Sequence, residues 1–179
     1  MRAGRANARL LFQPLCFRRI MATWQFSIVL LPASWAEENS YDASLLYDEE
    51  GYSTECAWRE RQPGSAFIDV LSKILPPSQA WHDDLLTWGK TEEHDIQVWY
   101  EDKEIEGIHI RLDLNQNSNE LIAKLIEAAQ ALKCALFLPE YEKIIEANEF
   151  ELTKSLKESN AAKFVMNPKE FLNEISKET

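Results

Sequence analysis

Hydrophobic and polar residues alternate most regularly between His94 and Pro139, HDIQVWYEDKEIEGIHIRLDLNQNSNELIAKLIEAAQALKCALFLP. Ile96, Val98 and Tyr100 alternate with Gln97 and Trp99, and a turn falls in Glu101 to Glu104. Ile108, Ile110, Leu112 and Leu114 then return on one face, with His109, Arg111 and Asp113 on the other. A period of two marks a half-buried β-hairpin. The period then changes: Leu121, Ile122, Leu125, Ile126, Ala129 and Leu132 recur at helical spacing behind a capping box, Asn117 three residues before Glu120. The apolar run Cys134 to Leu138 predicts a core strand.

Outside this stretch the pattern is less regular. Trp24, Phe26, Ile28 and Leu30 form one face of a strand, with Val29 and Leu31 on the other and Pro32 at its end. A second reading takes Arg18-Arg19 and the apolar run after them as a secretory signal over residues 18–36, with Ser34 and Ala36 in cleavage-like positions. We favour the strand, because Gln25 and Ser27 interrupt the apolar run and the sheet would otherwise lack its first strand. On that view Met21 is the natural start and residues 1–20 are a disordered or non-native leader.

Phe67, Ile68, Leu71 and Ile74 predict a short helix over 65–75, stopped by Pro76-Pro77. Trp81, Leu85 and Trp88 fall at i, i+4 and i+7 and predict one or two more helical turns ending at Gly89. Towards the C-terminus, Glu149 to Ser159 and the segment opening at Asn167-Pro168 each read as helices, placed to cover a sheet edge or its free face.

The order strand, helix, strand, strand, helix, strand predicts an α+β fold. Its expected form is a ferredoxin-like βαββαβ, four-stranded antiparallel sheet with two packed helices and a C-terminal helical extension. The expected organisation is one α+β domain over 21–145 and a helical extension over 146–179 packed on it.

Charge narrows the function. The first twenty residues hold five arginines (Arg2, Arg5, Arg9, Arg18, Arg19) and no acid, so beyond Ile20 the 19 basic residues of the chain fall to 14 against 30 acidic, a net charge of −16. A field of that sign repels nucleic acid and anionic membrane and speeds encounter with basic partners. Three cysteines without metal-ligand spacing, Cys16, Cys56 and Cys134, fit a reduced, cytoplasmic setting and predict neither zinc nor a disulfide framework.

The polar segment Ala33 to Gly64 interleaves acidic residues with aromatics and reads as a long loop. In one reading its aromatics simply close over the core. In the other it is a docking surface, with Trp35, Tyr47, Tyr52 and Trp58 as anchors and Asp48, Glu49 and Glu50 attracting a basic protein. Trp99, His109 and Arg111 on the outer hairpin face would extend that surface; a cross-strand pair of Arg111 with Asp95 or Asp113 is the alternative use of the arginine.

Catalytic signatures are missing: no serine lies in GxSxG, and the five glycines form no phosphate cradle. Tyr47 to Tyr52 lacks the ligand spacing of a calcium loop. His82, Asp84, His94 and His109 are the residues a small metal-dependent or hydrolytic enzyme would use, although no two histidines have helical ligand spacing. No catalytic residue, metal or cofactor is therefore expected, and the leading expectation is a non-enzymatic protein-binding module. A structural subunit of a homo-oligomer, joined through a sheet edge or an uncovered sheet face, is a third expectation.

The run VWYEDKEIEGIHIRLDL followed by NELIAKLIEAAQALKCALFLPE resembles small acidic bacterial proteins, some of them similar to immunity proteins of contact-dependent and polymorphic toxin systems. The resemblance covers about a quarter of the chain and consists of fold-forming residues. It implies a toxin-neutralising role as one form of protein binding and carries over no functional residue.

Overall fold

The computed structural model describes residues 23–178. Residues 1–20 and Met21, on which the expectations about the leader and the start fall, lie outside them. Among the described residues the elements run in chain order as β1 (Gln25–Pro32), α1 (Ala33–Glu38), a 3-10 turn (Ala43–Leu46), β2 (Tyr47–Asp48), β3 (Gly51–Tyr52), α2 (Glu55–Trp58) and α3 (Phe67–Ser72). Then come β4 (Pro77–Ser78), β5 (Leu85–Gly89), β6 (Asp95–Glu101), β7 (Glu104–Asp113), α4 (Asn119–Ala131) and β8 (Cys134–Leu138). A 3-10 turn (Pro139–Tyr141), β9 (Lys143–Ile145), α5 (Glu149–Glu158), α6 (Asn160–Met166) and α7 (Pro168–Glu178) complete the chain.

The fold is α+β, built on a seven-stranded antiparallel sheet in the order β4-β5-β6-β7-β1-β8-β9. The expectation of a four-stranded ferredoxin-like sheet is corrected by the three additional strands. β5 forms where the sequence spacing pointed to helix. Leu85 and Trp88 are both buried although they face opposite sides of a strand, because this part of the sheet is covered on both sides: Leu85 is the cross-strand partner of Trp99, while the Trp88 indole Nε1 donates to Ser72 Oγ at the end of α3 (2.9 Å). Burial at i and i+3 therefore imitates a helical repeat. Gly89, the last residue of β5, adopts the left-handed conformation (φ +74°), and a Cβ there would lie 2.2 Å from the His94 carbonyl oxygen.

The sheet separates two apolar clusters. Phe26, Ile28 and Leu30 of β1 face α3, α4, α5 and α6 through Leu71, Leu125, Leu152 and Ala161. Val29 and Leu31 face the other way, onto Trp35, Ala36, Leu46, Ala57, Ala135 and Phe137. The segment read as a loop over 33–64 thus supplies the cover of the second face over β1 and β8. The C-terminal helices α5 and α6 join the first face, beside α4, and α7 packs on α6. All eight residues of β1 are buried in consequence, and truncating one of its central aliphatics, such as Leu30 to Ala, costs about 2–5 kcal/mol by the usual cavity penalty.

β7 outruns β1. Their pairing ends at Leu30 with Ile108, so the edge of residues 104–107 is free for other partners. Side chains of the 54–62 segment take it: Gln62 accepts from Ile105 N (2.7 Å) and donates to Ile105 O (3.0 Å), and Thr54 Oγ1 donates to Glu106 O (2.7 Å). Satisfying a strand edge with side chains prevents the cost of unpaired backbone groups.

Candidate functional site

The second sheet face changes character along β6 and β7. Beyond its apolar half it carries Asp95, Gln97, His109 and Arg111, placed together by the pairing of Asp95 with Arg111 and of Gln97 with His109. The Arg111 guanidinium grips Asp95 in two contacts, Nε to Oδ1 (2.7 Å) and Nη2 to Oδ2 (2.5 Å), and Gln97 Nε2 donates to Asp95 Oδ2 (2.8 Å). Side-chain exposures of 11% and 4% make this a buried pair. Of the alternatives offered by the sequence, Arg111 is spent on the cross-strand pair, and a bidentate, hydrogen-bonded carboxylate leaves it little capacity for a ligand.

His109 lies over Gly107 and under Tyr52, whose ring stacks on the imidazole (centroids 6.3 Å, 29°). Burial, reinforced by the Arg111 charge, pushes its pKa down to about 4, so the ring is neutral at pH 7 and a weak base. Tyr52 also meets Phe137 (5.1 Å) and Tyr47 (6.1 Å) edge-on. The structure therefore joins the aromatic segment to the hairpin face, through Tyr52 and His109, as cover for the sheet.

Trp35 and Trp58, at 7% and 1% exposure, are inside the core and are withdrawn from the set of surface anchors. Their rings fill the two clusters because the 33–58 segment packs as regular structure. Tyr47 and Tyr52 are half-buried, whereas Asp48, Glu49 and Glu50 stand exposed at the tip of the β2–β3 hairpin. Trp99 is half-buried and meets Trp81 (5.5 Å) and His82 (6.0 Å).

The residues of the enzymatic alternative serve different local purposes. His82 sits exposed with Asp84 at 3.8 Å and accepts from Asp84 N (3.1 Å). His94 Nδ1 accepts from Asp113 N (3.0 Å), and burial lowers its pKa. Among the described residues no group of three His, Cys, Asp or Glu is placed to hold a metal ion. Burial pushes the Cys134 thiol up to about 12, and burial with the Glu55 charge raises Cys56. Neither thiol is primed as a nucleophile.

A cleft that sequence reasoning missed lies between α2 and the end of the β6–β7 hairpin. It encloses about 120 Å³ and is lined by Glu55 of α2, by Arg59 just after it and by Glu101, Asp102, Glu104, Ile105 and Glu106. Two features of the backbone create it. Asp102 and Lys103, both left-handed (φ 49° and 72°), make the tight turn that sets Glu101 opposite Glu104. A bulge then shifts the register between Trp99 and Tyr100, so that Trp99 pairs with Gly107 and Tyr100 with Ile105, leaving Glu106 as the extra residue.

Burial first, then the neighbouring Glu101 carboxyl and the charges of Glu55 and Asp84, push the Glu106 pKa up to about 7. Arg59 is turned to Glu55 (2.7 Å). The run EDKEIE shows acidic density at a hairpin turn, but only the bulge brings Glu106 against Glu101, and nothing in the alternation announces it. Among the described residues no helix is long and apolar enough to cross a membrane. No protein-family model, curated protein or solved structure matches this chain.

Proposed function

We propose that this protein is a non-enzymatic binding module whose acidic surface receives a basic protein, a toxin-neutralising role being one concrete form. The observation that carries the reading is the cleft at the hairpin end, where four glutamates from α2, β6 and β7 and the aspartate of the β6–β7 turn line the site with one arginine already paired to Glu55. Crowded carboxylates repel one another, and a lysine or arginine side chain entering among them relieves that repulsion. The exposed Asp48, Glu49 and Glu50 add to the same negative field. The acting residues in this reading are therefore Glu101, Glu104 and Glu106 with the hairpin tip, while Trp35 and Trp58 serve the core. A cytoplasmic setting suits a chain whose two described cysteines are free.

The test is affinity capture on the immobilised full chain at low salt, beside a chain carrying Glu101→Gln, Glu104→Gln and Glu106→Gln. One stoichiometric basic protein retained by the first and lost by the second is the expected result. Retention by both, or by neither, contradicts the reading.

Self-association is a second reading, favoured by one observation. Met166, Leu172 and Ile175 on the C-terminal helices are exposed, whereas the sheet edges first considered for pairing are the two-residue β4, which opens with Pro77, and the three-residue β9. Light scattering at two concentrations separates it from the first.

A further inference from the structure

We infer that Trp81, braced by Trp99 and His82 at the far end of β6, is a docking platform for an arginine side chain of the basic partner. The inference rests on the reading of this protein as the receiver of a basic protein. It supplies the aromatic anchor that Trp35 and Trp58, both spent on the core, do not.

The platform is assembled where β5 begins. Trp99 follows Gln97 on the same face of β6 and is the cross-strand partner of the buried Leu85. The connection leading into β5 is tied down beside it: Asp84 O accepts from Tyr100 N (3.0 Å), and Asp84 N donates to His82 Nδ1 (3.1 Å). Within that connection the Trp81 ring stands edge-on to Trp99 (5.5 Å, 68°) and to His82 (5.8 Å, 72°). Trp81 nevertheless keeps 58% of its surface exposed. An indole that is held in place and still open to solvent suits an interface anchor, because little rotamer freedom remains to be lost on binding.

Charge selects the occupant. Asp83 and Asp84 stand exposed in the same connection, and two residues beyond Trp99 comes Glu101, exposed and lining the acidic cleft. An acidic segment would be repelled here, whereas a cationic side chain meets the negative face of the ring and the carboxylates together. Arginine fits better than lysine: its guanidinium is planar and less strongly hydrated, and it stacks on an indole while its edge still donates to a carboxylate.

The test titrates the full chain at low salt with hexa-arginine and with hexalysine, two peptides of equal charge. Binding is followed through the indole N–H signals in proton–nitrogen correlation spectra, the Trp81 signal being the one lost in Trp81→Ala. Hexa-arginine should move the Trp81 signal and bind more tightly than hexalysine. Trp81→Ala should weaken hexa-arginine by roughly two- to fivefold and hexalysine by less, and Trp81→Phe, which restores a ring, should recover part of the loss. Trp81 belongs to neither apolar cluster, so these variants keep the core intact. Equal affinity for the two peptides, or a preference for hexa-arginine undiminished in Trp81→Ala, would overturn the platform and leave the acidic-surface reading standing. No binding of either peptide would overturn both. A Trp81 signal that moves on dilution without peptide would assign the ring to a second copy of the chain and overturn the inference as well.

Discussion

Gly107 has no room for a side chain. A Cβ there would lie 2.6 Å from His109 Nε2 and 2.8 Å from Thr54 Oγ1, and both neighbours are committed, one under Tyr52 and the other to the Glu106 carbonyl. Gly107→Ala is expected to cost about 1–3 kcal/mol through overpacking, read as a lower midpoint in urea; an unchanged midpoint would show that the imidazole can move aside. Arg111 and Asp95 test the opposite situation, a pair that loses its partner. Arg111→Met leaves a buried carboxylate uncompensated and should cost about 3–5 kcal/mol, while Arg111→Met with Asp95→Leu should recover much of the loss. A double variant as unstable as the sum of the singles would remove the pair from the account. Asp95 was legible in the sequence as a partner for Arg111, because both fall on the polar side of one hairpin. The closeness of Gly107 to His109 was not, since it depends on an imidazole lying back along its own strand.

At the level of elements, the 33–58 segment decides the architecture. Its aromatics read equally well as docking anchors or as core, and placing Trp35 in one cluster and Trp58 in the other settles both as core. The strands with clean alternation, β6 and β7, and the helices with a single apolar stripe, α4 and α5, could be read in advance because each has one apolar face and one polar face, even where the polar face of β6 is buried as well. β5 could not, because its neighbours cover both faces and remove the alternation. α4 itself starts differently from the capping-box reading: Glu120 pairs with Lys124 (2.8 Å), and the N-cap residue Ser118 makes no side-chain cap.

The stacking of the β2–β3 hairpin on β7 has a pH signature. His109 has its folded pKa lowered to about 4 from an ordinary 6.5, so between those values the unfolded chain binds more protons and stability falls as pH drops through the window. His109→Gln should flatten the dependence between pH 6.5 and pH 4 whatever it does to absolute stability. Denaturant melts of both chains at several pH values give the slope, and an unchanged slope would show that His109 is not the titrating group.

For the molecule as a whole, charge is the property that a functional account must use. The body carries −16 beyond Ile20, and the fold concentrates part of that charge in one cleft and at one hairpin tip. That the chain is acidic was plain from composition; where the acid gathers depends on a bulge and a left-handed turn. The measurement closest to the central claim is the association rate between this chain and the basic protein it captures, followed from about 20 mM to about 200 mM salt, a range over which the screening length shortens severalfold. Opposite fields steering the encounter predict a rate that falls by at least about tenfold, with dissociation changing much less. A rate independent of salt would contradict recognition through the acidic surface.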